Sequence, residues 1–416
     1  MKEKMMENLE KCIAEYAELV VKTGANIKEE QRLVVSCPVD CAFFARAIAD
    51  AAYKAGCKEV VTDWRDDYLS RLKYLNADDS IFDEVPRWRK SFYDDHAAEQ
   101  AAVISVYSTD PENMKGVSPD RLQRAERAMG RELREYQNLQ MANHFQWCIA
   151  SVPSARWAKK VFPGVSEEEA VQKLWEAILK TVHVSGDGSA VETWKNKVKT
   201  MEARSDKLNK YRFAKLLYKN SLGTDLSIEL PENHMWVACG ERAKTGVNFV
   251  ANMPTEEVFT LPKKDGVNGV VYASKPYVLS GNVIEGIRFV VKDGKIVEAD
   301  ADKGVENLIK SLDTDEGSRY FGEVALVPFH SPISEMDILF YNTLFDENAS
   351  CHLAFGKAYP TFTDADEQTE EELIRRGMND SAVHEDFMVG TADLSITGIT
   401  HDGKEEAVFI NGDWAF

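Results

Sequence analysis

The chain contains no run of about 18 apolar residues, so no membrane-spanning helix is expected. Its first residues lead into an amphipathic pattern with acids throughout, not into the apolar core of a secretion signal. A basic surplus is missing too. Fifty lysines and arginines face 69 aspartates and glutamates, a formal net charge of -19, whereas a nucleic-acid partner requires a concentrated basic surface. The seven cysteines form no tight framework and no Cys-x-x-Cys pair, since three residues separate Cys37 from Cys41. Such an odd, scattered set suits a reducing cytoplasm better than an oxidising exterior. Phosphate-cradling glycine loops are also lacking. The first strand candidate runs into Cys37-Pro38-Val39-Asp40, the stretch 240–246 has the wrong glycine spacing, and no Gly-Lys-Ser/Thr follows it. These absences argue against membrane, nucleic-acid and nucleotide-binding functions.

What remains is an ordinary globular composition, 44% hydrophobic and 29% charged, over 416 residues, enough for two or three domains with a sizeable core. Leu9, Cys12, Ile13, Tyr16, Leu19 and Val20 recur at helical spacing, and Gly24 is expected to close that helix in a left-handed conformation. Strand patterns at 32–36 and 59–64 enclose a helical pattern at 41–55, which implies a parallel βαβ unit, and 101–107 and 147–152 add further strands. Ser166 with Glu169 forms a capping box for a helix through about Val182. The polar stretch 186–208 marks the domain transition. Beyond it come strands at 212–218 and 225–230, a hairpin turned by Asp293-Gly294, and another over 395–410. The expected architecture is therefore α/β, with an N-terminal parallel βαβ-type domain, 1–208, followed by a mixed α+β domain rich in hairpins, 209–416. The eight tryptophans are scattered without a repeat and are assigned to packing.

Only eight histidines occur, and three of them, His330, His352 and His384, fall between Gly322 and Met388 among acids and apolar runs. His384 and Asp386 are two residues apart, so on an extended strand both side chains leave the same face. An imidazole and a carboxylate presented together suit zinc, cobalt or manganese, although an isolated His-x-Asp is more often a simple hydrogen-bonded pair. Cys351 is read as a small buried hydrophobe, because neighbours on a strand point apart. The other histidines belong to no motif.

Four phrases change the weight of that pair. They are Asn-Met-Pro-Thr-Glu-Glu-Val-Phe-Thr at 252–260, Gly-Ser-Arg-Tyr-Phe-Gly-Glu at 317–323, Tyr-Asn-Thr-Leu-Phe-Asp-Glu-Asn-Ala-Ser-Cys-His at 341–352 and Gly-Met-Asn-Asp-Ser-Ala-Val-His-Glu-Asp-Phe-Met at 377–388. Along nearly its whole length, and most densely from about Asn252 to Gly403, the chain resembles the aminopeptidase T and aminopeptidase S family of two-metal peptidases. The resemblance implies metal ligands at Glu257, Glu323, His352, His384 and Asp386, and a functional tyrosine at Tyr359. Glu256 is the fallback for Glu257, and Glu347 is a possible further ligand.

Three carboxylates and two imidazoles exceed what one four-coordinate catalytic zinc with an open water position can use, whereas two ions sharing a carboxylate use them all. The resemblance thus implies a cytoplasmic, homodimeric aminopeptidase that recognises a free peptide N-terminus. Tyr359 would donate to the developing oxyanion, and Glu323 would either bridge the ions or handle the water proton. Two alternatives stand beside it: a two-metal hydrolase of another amide, and a peptide-binding protein that has lost turnover.

Overall fold

The computed structural model describes residues 2–108, 110–279 and 282–416. The chain divides into two compact units, Met1–Lys197 with Gly240–Pro254, and Val198–Cys239 with Thr255–Phe416.

The first unit is built on a five-stranded sheet whose pairings are all parallel, in the order Glu59–Arg65, Arg32–Pro38, Ala102–Tyr107, Trp147–Ser151, Asn252–Met253. Strand Arg32–Pro38 is almost continuously buried, as expected of a parallel strand covered on both faces. Val34 and Val103, level in register, pack on one face with Ala97, Tyr136 and Phe145, while Leu33, Val35 and Ile104 alternate to the other. The turn after the first strand is a short 3-10 segment, Val39–Cys41, leading straight into helix Ala42–Lys54. Ser166 caps helix Glu167–Thr181 by accepting from the Glu169 N–H.

One expectation is corrected here. Gly24 does not close the first helix in a left-handed conformation. The helix Lys2–Leu19 widens into a π turn at Val20–Gly24, Ala25 is right-handed, and Asn26 takes the positive φ of 44°. The glycine serves close approach instead, because a Cβ there would lie 2.7 Å from Cys148 Sγ. Within the polar stretch 186–208 the chain passes from the first unit to the second, at Lys197–Val198. That stretch lies largely within the 22-residue helix Ala190–Tyr211, whose buried residues Ala190, Trp194, Met201, Ser205 and Leu208 are spaced three, four or seven apart, along one stripe.

Among the described residues the second unit contains two larger antiparallel sheets, besides the two-stranded pair Tyr277–Leu279 and Asn282–Ile284. An eight-stranded sheet runs in the order Lys295–Asp300, Arg288–Lys292, Val267–Tyr272, Asp225–Glu229, Phe213–Lys219, Ser395–Thr400, Glu405–Ile410, Asp413–Trp414. Its hairpin at Asp293-Gly294 has positive φ at both turn residues, 49° and 78°, matching the two-residue turns that suit twisted strands. A four-stranded sheet runs Val258–Thr260, Phe321–Leu326, His352–Gly356, His384–Met388. Phe289 of the large sheet packs edge-on against Phe355 and Phe387 of the small one, with ring centroids 6.2 and 5.2 Å away. One face of the small sheet is thereby committed to the core, and its other face is left to carry polar side chains.

Candidate metal centre

That second face is specified by alternation and register. His384 and Asp386 emerge from it together, as their two-residue spacing requires, while Phe387 turns to the core. In the neighbouring strands Ala354 pairs with both Glu323 and Asp386, and His352 pairs with Ala325 and Met388. The alanines leave room for longer side chains to lean over them. Phe259 pairs with Ala325 at the other edge of the sheet, and Glu257, two residues before it, extends from the same face. Gly356, opposite His384, has φ 104°, and a Cβ there would come 2.1 Å from the Val383 carbonyl oxygen. Only glycine lets the strand entry approach so closely.

The result is a buried cluster of acids around two imidazoles. His352 Nε2 lies 3.2 Å from Glu257 Oε2, 3.5 Å from Glu323 Oε1 and 4.0 Å from Asp386 Oδ1. His384 Nε2 lies 3.6 Å from both Glu323 Oε2 and Asp386 Oδ1. Glu323 therefore turns one oxygen to each ring. Donor atoms of Glu257, Glu323 and His352 lie within 4.8 Å of one another, as do those of Glu323, His384 and Asp386.

Both rings are oriented from behind. His352 Nδ1 is 3.2 Å from the Ser350 carbonyl oxygen, and His384 Nδ1 is 2.7 Å from that of Lys357. A carbonyl can only accept, so in the neutral ring the proton sits on Nδ1 and the Nε2 lone pair faces the acids.

Electrostatics show what the cluster requires. Among the described residues, no lysine or arginine pairs with Glu257, Glu323 or Asp386; their ionic partners are the two imidazoles. Burial pushes the Glu323 carboxyl up, and the negative charges of Asp386 and Glu257 add to it. Glu347 is pushed well above the usual carboxylate range, by burial first and then by Glu257 and Asp386. Burial alone would lower the His352 pKa, yet its bonds to Glu257 and Glu323 hold it well above the ordinary value. For His384 the negative charge of Asp386, and then that of Glu323, likewise outweighs burial and raises it to about 10. Asp386 is held low, because the two imidazoles overcome its burial. Without a cation, then, the imidazoles must carry the compensating charge themselves.

These observations fit a divalent ion. The donors are nitrogen and carboxylate oxygen, each ring presents Nε2, and buried Asp386 Oδ1 has no hydrogen-bond partner.

The remaining candidates sort clearly. Glu347 lies outside both tight donor groups, although Glu257 and Asp386 act on its carboxyl at short range. Tyr359 leaves 40% of its surface exposed, but its ring stands edge-on to His384, centroids 5.3 Å apart. Burial and the charges of Glu323, Asp386, Glu347 and Glu257 raise its hydroxyl pKa. Of the adjacent pair 256 and 257, it is Glu257 that meets His352, while the Glu256 N–H donates to Asn348 Oδ1. Cys351 is buried and bonds both ways with the Val327 backbone. His330 faces Glu335 and Asp413, outside the cluster. The supporting groups that sequence reasoning missed are two backbone carbonyls, which have no sequence signal, and Asn348, which lies inside a quoted phrase.

The family model described as thermophilic metalloprotease (M29) matches residues 9–414. The chain is 44% identical to aminopeptidase AmpS of Bacillus subtilis (strain 168), over 99% of this chain and 100% of that one. It is 43% identical to aminopeptidase 2 of Geobacillus stearothermophilus, over 99% of each. Among solved structures, wild-type AmpT from Thermus thermophilus superposes with a TM-score of 0.92 at 35% identity, covering 98% of this chain and 100% of that one.

Proposed function

Since the chain belongs to the thermophilic metalloprotease (M29) family, we propose that it is a metal-dependent aminopeptidase whose two ions are held by the acid and imidazole cluster of the second unit. The observation that carries this reading is Glu323, one oxygen toward each imidazole and common to both donor groups. Glu257 and His352 complete one position, and His384 and Asp386 the other. Glu347 is a further ligand at the edge of the pair. Zinc, cobalt and manganese all suit this donor set.

Bound ions there would supply Lewis acidity, polarising the scissile carbonyl and lowering the pKa of water. The chain's own groups do the rest. Glu323, as the shared acid, would hold the two positions together. Tyr359 directs its hydroxyl to the oxygen on which negative charge develops. The surrounding carboxylates favour a cationic peptide terminus, so the free α-amine is the anchoring end of the substrate.

A homodimer, also expected from the family resemblance, is supported by helix Asp67–Asn76, which buries none of its residues and exposes Tyr68, Leu69, Leu72 and Leu75. The cytoplasmic location rests on seven cysteines, all free and buried.

The deciding experiment compares aminoacyl reporter amides and short peptides with free or acetylated N-termini, with cobalt, zinc or manganese supplied. Release of the first residue only from free termini is expected. Comparable cleavage of the acetylated peptides would make this an endopeptidase or another amidase.

A further inference from the structure

From the geometry we infer that Asn348 is a positioning residue: one buried side chain that fixes where Glu257 stands, and does so from beside Glu347. The inference rests on the ligand reading proposed above and deepens it.

Asn348 is completely buried in the short 3-10 turn Glu347–Ala349, just ahead of the His352 strand. Its Oδ1 accepts the backbone N–H of Glu256 at 2.7 Å. Its Nδ2 donates to the Leu344 carbonyl at 3.1 Å and stands 3.4 Å from Glu347 Oε1. Its own carbonyl lies 3.5 Å from the Ser331 hydroxyl. Both ends of the amide are therefore occupied, and the side chain has one orientation that satisfies them.

The position of Glu257 shows why that matters. The ladder to strand Phe321–Leu326 begins only at Val258, so the peptide carrying Glu257 is held by the sheet on its C-terminal side alone. On the N-terminal side the bond to Asn348 takes over. Glu257 thus sits between two fixed points, and its carboxylate meets His352 Nε2 at 3.2 Å. Asn348 also decides between two adjacent acids, because a peptide pinned at the Glu256 N–H presents residue 257, not 256, to the cluster. The contact of the same amide with its chain neighbour Glu347 is the longer one, 3.4 Å against 2.7 Å, so Glu257 is the ligand whose position depends on it. A group that orients a ligand in this way is worth roughly 10- to 100-fold in metal affinity.

Cobalt(II) titration of the metal-free full-length chain tests this without recourse to activity. Asn348→Ala is expected to weaken binding by roughly 10- to 100-fold, and to add no further loss in a Glu257→Ala background, because the brace acts through Glu257. An equal loss in both backgrounds, or none in the parent, would overturn the inference. If Glu257→Ala binds cobalt as the parent does, the ligand assignment fails and the brace falls with it; a weakened Glu257→Ala beside a parent-like Asn348→Ala refutes the brace alone. Should Asn348→Ala not fold, Asn348→Leu keeps about the same volume without charge and lacks the acceptor for the Glu256 N–H; it carries the same expectation of a roughly 10- to 100-fold loss, and parent-like cobalt binding by it overturns the inference.

Discussion

Glu323 and Asp386 stand level with each other on strands separated by only one other, and the residue between them is Ala354. Two inter-strand steps of about 4.8 Å would keep short side chains apart. Above a methyl group, however, both carboxylates can lean inward, and each reaches His352 within 4.0 Å. The small residue is thus part of the metal centre, although it has no donor atom.

The first prediction follows directly. Ala354→Val places two methyls where the carboxylates converge. Metal affinity is expected to fall at least about tenfold, the range for disturbing groups that orient ligands. The metal-free protein should lose only about 1–3 kcal/mol, the usual range for overpacking. Metal analysis and unfolding in chelator separate the two effects, and unchanged metal content would show that the acids do not depend on that space.

Tyr359 offers a test of chemistry alone. Its hydroxyl feels the negative charges of Glu323, Asp386, Glu347 and Glu257. Tyr359→Phe should keep metal content and KM near the parent values while kcat drops by roughly 10² to 10³, as for losing one oxyanion donor. Full activity in that variant would reduce the tyrosine to packing against Phe259 and His384.

Much of this was legible in the sequence, for identifiable reasons. Near-continuous apolar runs such as Leu33–Val35, bounded by turns, reveal parallel strands, and Asp293-Gly294 states its own turn type. The shared face of His384 and Asp386 needs only a period of two. What stayed hidden depends on register or on the backbone. Nothing local reveals that Ala354 separates two acids, that the Ser350 and Lys357 carbonyls orient the rings, or that Gly240–Pro254 folds back with the first unit. The long helix at 190–211 was obscured because its few buried positions, two of them Ala190 and Ser205, are set among lysines and glutamates.

His384 should behave differently from Tyr359. It is backed by the Lys357 carbonyl and faces Glu323 and Asp386, so His384→Ala removes a ring nitrogen and leaves two buried acids without their partner. Metal content is expected to fall together with activity, and added metal should restore both only in part. Parent-like stoichiometry in the purified variant would remove His384 from the ligand set.

The last prediction concerns stability and a histidine outside the cluster. His234 is buried, its Nδ1 lies 2.9 Å from the Pro231 carbonyl oxygen, and its Nε2 has no hydrogen-bond partner. Burial, with the charges of His401 and Arg212 adding to it, lowers its pKa to about 4, against 6.5 in its absence. Between those values the unfolded chain binds a proton that the folded chain refuses, so stability falls as pH drops. Above pH 6.5 the ring is neutral in both states and the penalty vanishes. At roughly 1.4 kcal/mol per pH unit, the penalty reaches about 2 kcal/mol by pH 5. His234→Gln cannot titrate, so its urea midpoint should fall less than the parent's between pH 7 and pH 5. The metal cluster titrates in both proteins and cancels in the difference. Parallel losses in parent and variant would mean that His234 is protonated within the fold.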